Sequence, residues 1–121
     1  MRRILVVDDE EKIRRIYRSL LKPEGFEVLE ASNAVDANKI LKENPIDLVL
    51  LDIKMSGVAG SKLYTAIRLF HKEVKVIVAS VYPIDEQRNI IKDATDYYDK
   101  AEGTDKLLSK IKNALRDTTT N

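Results

Sequence analysis

The chain has 121 residues, room for one domain with a substantial core and too few for two. Its 44% hydrophobic content argues against disorder, and 21 Lys plus Arg nearly cancel 20 Asp plus Glu, so a net charge of +1 gives no global pull toward nucleic acid or an anionic membrane. There is no cysteine, which excludes disulfides, cysteine–zinc sites and thiol nucleophiles and fits a reducing interior. The apolar runs are too short to span a membrane, and a strand begins almost at once, leaving no room for a signal peptide. A cytoplasmic protein is expected.

In chain order, apolar runs alternate with stretches of helical period. The first run, Ile4 to Val7, is followed by Ile13, Ile16, Tyr17, Leu20 and Leu21, the stripe of one helical face, which should stop near Pro23 and Gly25. Phe26 to Leu29 alternates apolar with polar and suits a sheet edge. Ser32 or Asn33 then caps a helix through Ala37, Ile40 and Leu41 that closes before Pro45. Leu48 to Leu51 is a continuous apolar strand, and Leu63, Ala66, Ile67 and Phe70 mark a third helix. Val74 to Val78 is the fourth strand, and Pro83 opens a helix with Ile84, Gln87, Ile90 and Ile91 on one side. Asp96 to Tyr98 is a weak fifth strand, after which Thr104 caps a helix facing inward through Leu107, Leu108, Ile111 and Leu115. The tail from Thr118 to Asn121 should fray, and lone His71 reads as a surface residue. Five such βα units predict a doubly wound α/β fold: a parallel sheet between two layers of helices.

In such folds ligands bind at the carboxyl ends of the strands, near the point where strand order reverses. Strand 1 ends in Asp8 and Asp9, strand 3 in Asp52, strand 4 in Ser80 and strand 5 near Lys100. Strand 2 ends in Glu30-Ala31-Ser32, with no evident chemistry. Three carboxylates held together repel each other, and a hard divalent cation relieves the repulsion. Mg2+ suits oxygen ligands of this kind and is typically shared with a phosphate. Lys100 offers a point charge for that phosphate, Ser80 a hydrogen-bond donor, and a carboxylate can serve as nucleophile. Each residue alone has a plainer reading: Asp8 and Asp9 as a charged helix start, Asp52 as a turn residue, Ser80 as a cap, Lys100 as a surface lysine. Their shared position, each at the end of its own strand, favours the functional reading.

The pattern resembles the receiver domains of two-component response regulators. "VVDDE" (6–10) is similar to the family's acidic pair and "DLVLLDIKM" (47–55) to its phosphoacceptor strand. "VIVAS" (76–80) resembles its hydroxyl strand and "DYYDK" (96–100) its lysine segment. The resemblance covers the whole chain and implies a flavodoxin-like sheet in the order 2-1-3-4-5. It also implies that Asp52 accepts a phosphoryl group from a sensor histidine kinase or phosphotransfer protein. Asp9 would bind Mg2+ directly, Asp8 mostly through water, and Asp52 and the backbone carbonyl of Lys54 would complete the protein ligands. Ser80 would swing in to the phosphoryl group, Lys100 would pair with it, and Tyr97 would be the aromatic that turns inward on activation. Tyr97 also has a plainer reading, a half-exposed strand aromatic, while Tyr98 is expected to pack in the core. Glu10 and Glu11 are assigned to the start of helix 1.

Some residues depart from the family. Met55-Ser56-Gly57-Val58-Ala59-Gly60 lacks the proline and acid usual after the phosphoacceptor. Ala101 replaces the proline that normally follows the lysine, so either a trans bond with a rearranged loop or a strained bond is expected. Val81 is bulkier than the usual residue after the hydroxyl, and Lys54 and Tyr82 occupy positions that vary in the family and modulate aspartyl-phosphate hydrolysis. Shielding of Asp52 by Val81 and Tyr82 predicts slow phosphoryl entry and a long-lived phosphorylated form.

The leading expectation is therefore a single receiver domain over 1–121 with no output domain, a switch and not an enzyme. It would act on a downstream protein through the face formed by helix 4, strand 5 and helix 5, without direct contact to nucleic acid or membrane, as a monomer or a weak phosphorylation-dependent dimer. The alternative is a pseudo-receiver, the same fold used unphosphorylated as an interaction module. A phosphohydrolase with an aspartyl nucleophile is disfavoured because Asp8 and Asp9 are adjacent and no cap domain fits. Nucleotide binding is disfavoured because no glycine-rich phosphate loop follows strand 1.

Overall fold

A computed structural model describes residues 2–53 and 59–116. Five strands, β1 (Arg3–Val7), β2 (Glu27–Ala31), β3 (Leu48–Asp52), β4 (Lys75–Ser80) and β5 (Asp96–Asp99), form one parallel sheet in the order β2-β1-β3-β4-β5. The helices are α1 (Glu11–Leu21), α2 (Ala34–Glu43), α3 (Ala59–Phe70), α4 (Ile84–Ile90) and α5 (Thr104–Ala114). The predicted fold and strand order are the observed ones.

The near-continuous apolar runs of β1, β3 and β4 follow from burial on both faces. Successive side chains point to opposite sides of a strand, and the two cores divide accordingly. Leu5, Val7, Val49, Leu51, Val76 and Val78 face α2 and α3, meeting Ala37, Leu41, Leu63 and Ile67. Ile4, Val6, Leu48, Leu50, Ile77 and Ala79 face α1 and α5, meeting Tyr17, Leu21, Leu107 and Ile111. The same alternation separates the adjacent tyrosines: Tyr97 joins the first core and Tyr98 the second. Each fully buried Leu or Ile contributes about 1.5–3 kcal/mol. β2 lies at the edge, and its half-buried residues match its alternating sequence.

Register brings the strand ends level. Val7 pairs with Leu51, Asp52 with Ala79, and Ser80 with Asp99. One residue past these rungs stand Asp8 and Lys100, beside Asp52 and Ser80. The reversal of strand order falls between β1 and β3, where the rule for open α/β sheets places a ligand.

Local signals behave as their chemistry requires. Asn33, not Ser32, caps α2, its side chain accepting from Asp36 N at 2.8 Å. α1 passes into a 3-10 turn, Lys22–Glu24, and stops at Gly25, whose φ of 92° suits glycine. Four expectations are corrected. Ile16 is exposed because the contact arc of α1 centres on Tyr17 and Leu21. Phe70, 77% exposed, is the last residue of α3 and runs past the covered part of the sheet. Ile90 ends the seven-residue α4 pointing outward, while Ile91 after it turns into the core. The cap of α5 is Gly103, at φ 92°, and Thr104 is already helical. His71 is half-buried after α3. Thr118 to Asn121 lie outside the described residues.

Candidate functional site

Asp8 emerges from β1 with all four of its polar atoms engaged. Its N–H donates to Ala31 O at 3.1 Å, and its carbonyl accepts from Arg14 Nη1 at 2.8 Å. Oδ1 accepts from Glu10 N at 2.9 Å, and Oδ2 accepts from Lys100 Nζ at 2.9 Å. Asp52 ends β3, 5% exposed, with Oδ2 3.7 Å from the same Lys100 Nζ. The single ammonium thus stands between two buried carboxylates, and removing it would leave charge uncompensated in a poorly solvated place.

Asp9, Glu10, Asp52, Val81 and Lys100 line a cavity of about 240 Å³ open to solvent. One carboxylate oxygen from each of Asp8, Asp9 and Glu10 lies within 4.8 Å of the other two. These hard oxygen donors suit Mg2+, with Asp52 on the same cavity to share it. Glu10 therefore does more than start helix 1: it is the N-cap residue of α1 and also a wall of the cavity. The charges reach inward as well. Burial pushes the Tyr17 phenol far up, and nearby Tyr98, Asp8 and Asp52 add to the shift.

On the β4 side, Ser80 is fully buried at the strand end beneath the cavity lining, its Oγ accepting from Tyr82 N at 3.2 Å. Val81, 57% exposed, takes a lining position as anticipated. Tyr82 instead packs against the core that α2 and α3 cover, so of these two residues Val81 is the one that lines the cavity. Lys54 and the residues from Met55 to Val58 lie outside the described residues. Gly60 is described, and a Cβ there would come within 2.8 Å of Ile53 Cα and 3.1 Å of Asp52 O. Only glycine lets α3 approach the end of β3 this closely.

There is no cis peptide bond among the described residues, so Lys100-Ala101 follows the trans alternative. The rearranged loop is a 3-10 turn, Lys100–Glu102, held by Ala101 N donating to Asp99 Oδ1 at 2.9 Å and Asp99 N donating to Glu102 Oε1 at 3.0 Å. Two local bonds thus supply the loop shape behind Lys100.

Tyr97 is turned inward, 4% exposed. Its hydroxyl donates to Ile91 O at 2.7 Å and accepts from Ala94 N at 3.1 Å, and Arg88 stands 4.9 Å from the ring centroid. The half-exposed reading of this residue does not hold. Lys110 of α5 donates to Tyr97 O, tying α5 to β5. Tyr98 is buried on the other face, as expected, and burial raises its pKa.

Sequence reasoning missed three supporting groups. Arg14 donates through Nε to Glu30 Oε1 at 3.3 Å as well as to the Asp8 carbonyl, and Arg18 pairs with the same Glu30. Strand 2 therefore contributes an electrostatic brace behind Asp8. Gln87 is fully buried in α4. Tyr64 of α3 donates its hydroxyl to Asp93 O at 3.0 Å, where Asp93 takes a φ of 63°. A polar residue within an apolar helical stripe was the available signal for Gln87, and none marked the others.

With this geometry, comparisons with known proteins define the class. Residues 4–112 match the family described as "Response regulator receiver domain", and the chain belongs to that family. It is 39% identical over 119 residues to a putative response regulator, NtrX-like, of Rickettsia bellii, covering 95% of this chain and 25% of that protein. It is 32% identical over 117 residues to the transcriptional regulatory protein SrrA of Staphylococcus aureus, covering 95% of this chain and 48% of that one. The chain thus spans a quarter to a half of these curated relatives. The response regulator TrrA of Thermotoga maritima, solved with Mg2+ and BeF, superposes with a TM-score of 0.86 at 36% identity, covering 95% of this chain and all of that one. TrrA in complex with the histidine kinase ThkA superposes at 0.81.

Proposed function

We propose that this domain is a phosphorylation-controlled switch in which Asp52 is the phosphoacceptor. The observation that carries the reading is the cavity where Asp52, the acidic group of Asp8, Asp9 and Glu10, and Lys100 meet. A carboxylate oxygen of Asp52 attacks the phosphorus of a phosphohistidine, the P–N bond breaks, and the departing imidazole nitrogen keeps the electron pair and takes a proton. Lys100, already 3.7 Å from Asp52, pairs with the incoming phosphoryl oxygens. Ser80 exchanges Tyr82 N for a phosphoryl oxygen. Asp8, Asp9 and Asp52, with the Lys54 carbonyl, would hold Mg2+, and the Glu10 carboxylate lies within 4.8 Å of those of Asp8 and Asp9. When bound, Mg2+ offsets charge on the phosphoryl oxygens. Tyr97 and Ser80 transmit the change to the face of α4, β5 and α5.

A histidine kinase as donor is supported by TrrA, which forms a complex with the kinase ThkA. The function is signalling and not turnover of an external substrate. A cytoplasmic site of action, Mg2+ as the cation, a protein target and a monomer or weak phosphorylation-dependent dimer belong to the same reading, as does output without direct nucleic-acid contact by this domain. Among the described residues no helix is long and apolar enough to cross a membrane.

The test uses Mg2+ and a small phosphodonor, with phosphoryl incorporation followed by intact mass. Incorporation is expected in the wild type and not in Asp52→Asn. Val81→Ala should shorten the lifetime of the phosphorylated form by opening the cavity to water. Wild-type protein that takes up no phosphoryl group, from the phosphodonor or from histidine kinases, would favour the pseudo-receiver.

A further inference from the structure

Four polar side chains are buried among the described residues: Asp8, Asp52, Ser80 and Gln87. The first three belong to the site. Gln87 sits in α4, and its single Nε2 donates to Tyr82 O at 2.8 Å and to Tyr98 O at 2.9 Å. Two carbonyl acceptors require the nitrogen on that side, which fixes the orientation of the amide. The consequence is that Oε1 is buried without a partner. An unmet buried acceptor is unfavourable, and an apolar residue of similar length would avoid it. Core packing alone therefore gives no reason for glutamine at this position.

The two carbonyls it grips supply one. Tyr82 lies two residues after Ser80, and Tyr98 lies two residues before Lys100. The β4–β5 ladder ends at the rung Ser80–Asp99, so beyond it the loop carrying Val81 and Tyr82 needs another tie. Tyr82 is held on both sides of its Cα: Ser80 Oγ holds its N–H and Gln87 holds its carbonyl. When Ser80 releases that N–H, Gln87 still anchors the residue to β5.

We propose that Gln87 is a positioning residue that fixes the Ser80 loop against β5, so that the hydroxyl of Ser80 and the ammonium of Lys100 converge on one phosphoryl group. The proposal rests on the switch reading above and adds to it a residue that touches neither phosphoryl group nor metal. Its action runs through the Tyr82 and Tyr98 carbonyls.

The experiment compares wild type, Gln87→Met, Gln87→Asn and the exposed α4 control Asn89→Ala. Methionine keeps the length and the helix but removes both donors. Asparagine keeps the amide on a shorter stem that cannot span both carbonyls, and serves as the second variant should methionine fold poorly. Phosphorylation of Asp52 by a small phosphodonor should slow about tenfold in Gln87→Met, the equivalent of one lost neutral hydrogen bond in the reacting geometry. Amide exchange at Tyr82 should accelerate while Mg2+ affinity stays at the wild-type value. Asn89→Ala should match wild type throughout. A Gln87→Met protein that is phosphorylated at the wild-type rate overturns the proposal alone, as does one in which exchange rises uniformly and Mg2+ affinity falls with it. A wild type that takes no phosphoryl group overturns the switch reading and this proposal together.

Discussion

At the β1 end of the cavity, every polar atom of Asp8 has a partner, and two of those partners are cations, Arg14 and Lys100. At the β4–β5 end, Ser80 Oγ accepts a neutral bond from Tyr82 N, and the loop after it is tied to β5 through an amide whose oxygen is unmet. Charge-assisted bonds are roughly twice as strong as neutral ones. On the proposed reading, the acid end keeps its geometry when a cation comes or goes, and the far end gives up one weak neutral bond for a charge-assisted one to the phosphoryl group. The difference suits a switch, in which the binding half must be preorganised and the responding half must move at low cost.

Three substitutions probe that contrast. The largest expected effect comes from the strand between the two ends. Gly60→Ala sets a Cβ against the Ile53 backbone, where neither helix nor strand can yield freely. A loss of about 1–3 kcal/mol is expected from such overpacking, read from urea unfolding, with slower phosphorylation of Asp52. Arg14→Met attacks the fixed end. It removes the donor to the Asp8 carbonyl and leaves Glu30 to Arg18 alone. Mg2+ affinity should fall about tenfold, as for loss of a group that orients metal ligands, measured by titration calorimetry; an unchanged affinity would show that the other bonds of Asp8 suffice. The smallest effect is expected away from the cavity, in the loop that leads into β5. Asp93→Gly relieves a left-handed backbone while keeping the carbonyl that Tyr64 holds. A stabilisation of at most about 1 kcal/mol is expected, read as a rise in the urea midpoint at constant slope.

Legibility in the sequence follows the range of the forces involved. The runs Ile4 to Val7 and Leu48 to Leu51 were readable because burial on both faces leaves a continuous apolar string. Asp8, Asp9, Asp52, Ser80 and Lys100 were readable because each ends its strand or lies within two residues of its end, and a parallel sheet sends all such ends to one rim. Glu10 was set aside because its two neighbours accounted for the acidity, while the start of α1 turned its carboxylate toward theirs. Glu30 looked inert because its partners, Arg14 and Arg18, belong to a helix that reaches it only after packing. Gln87 sat in an apolar stripe, but nothing local named the Tyr82 and Tyr98 carbonyls as what it grips.

By itself the sequence determined the order of elements, the parallel α/β class and the chemistry arriving at the strand ends. Those properties depend on hydrophobic period and on residues adjacent along the chain. Only the tertiary structure decided that Lys100 bonds Asp8 more closely than Asp52, that Tyr97 and Tyr98 part to opposite cores, and that one glutamine joins β5 to the loop after Ser80. Each of these is a choice among partners of similar chemistry. Such choices are set by how separate segments pack.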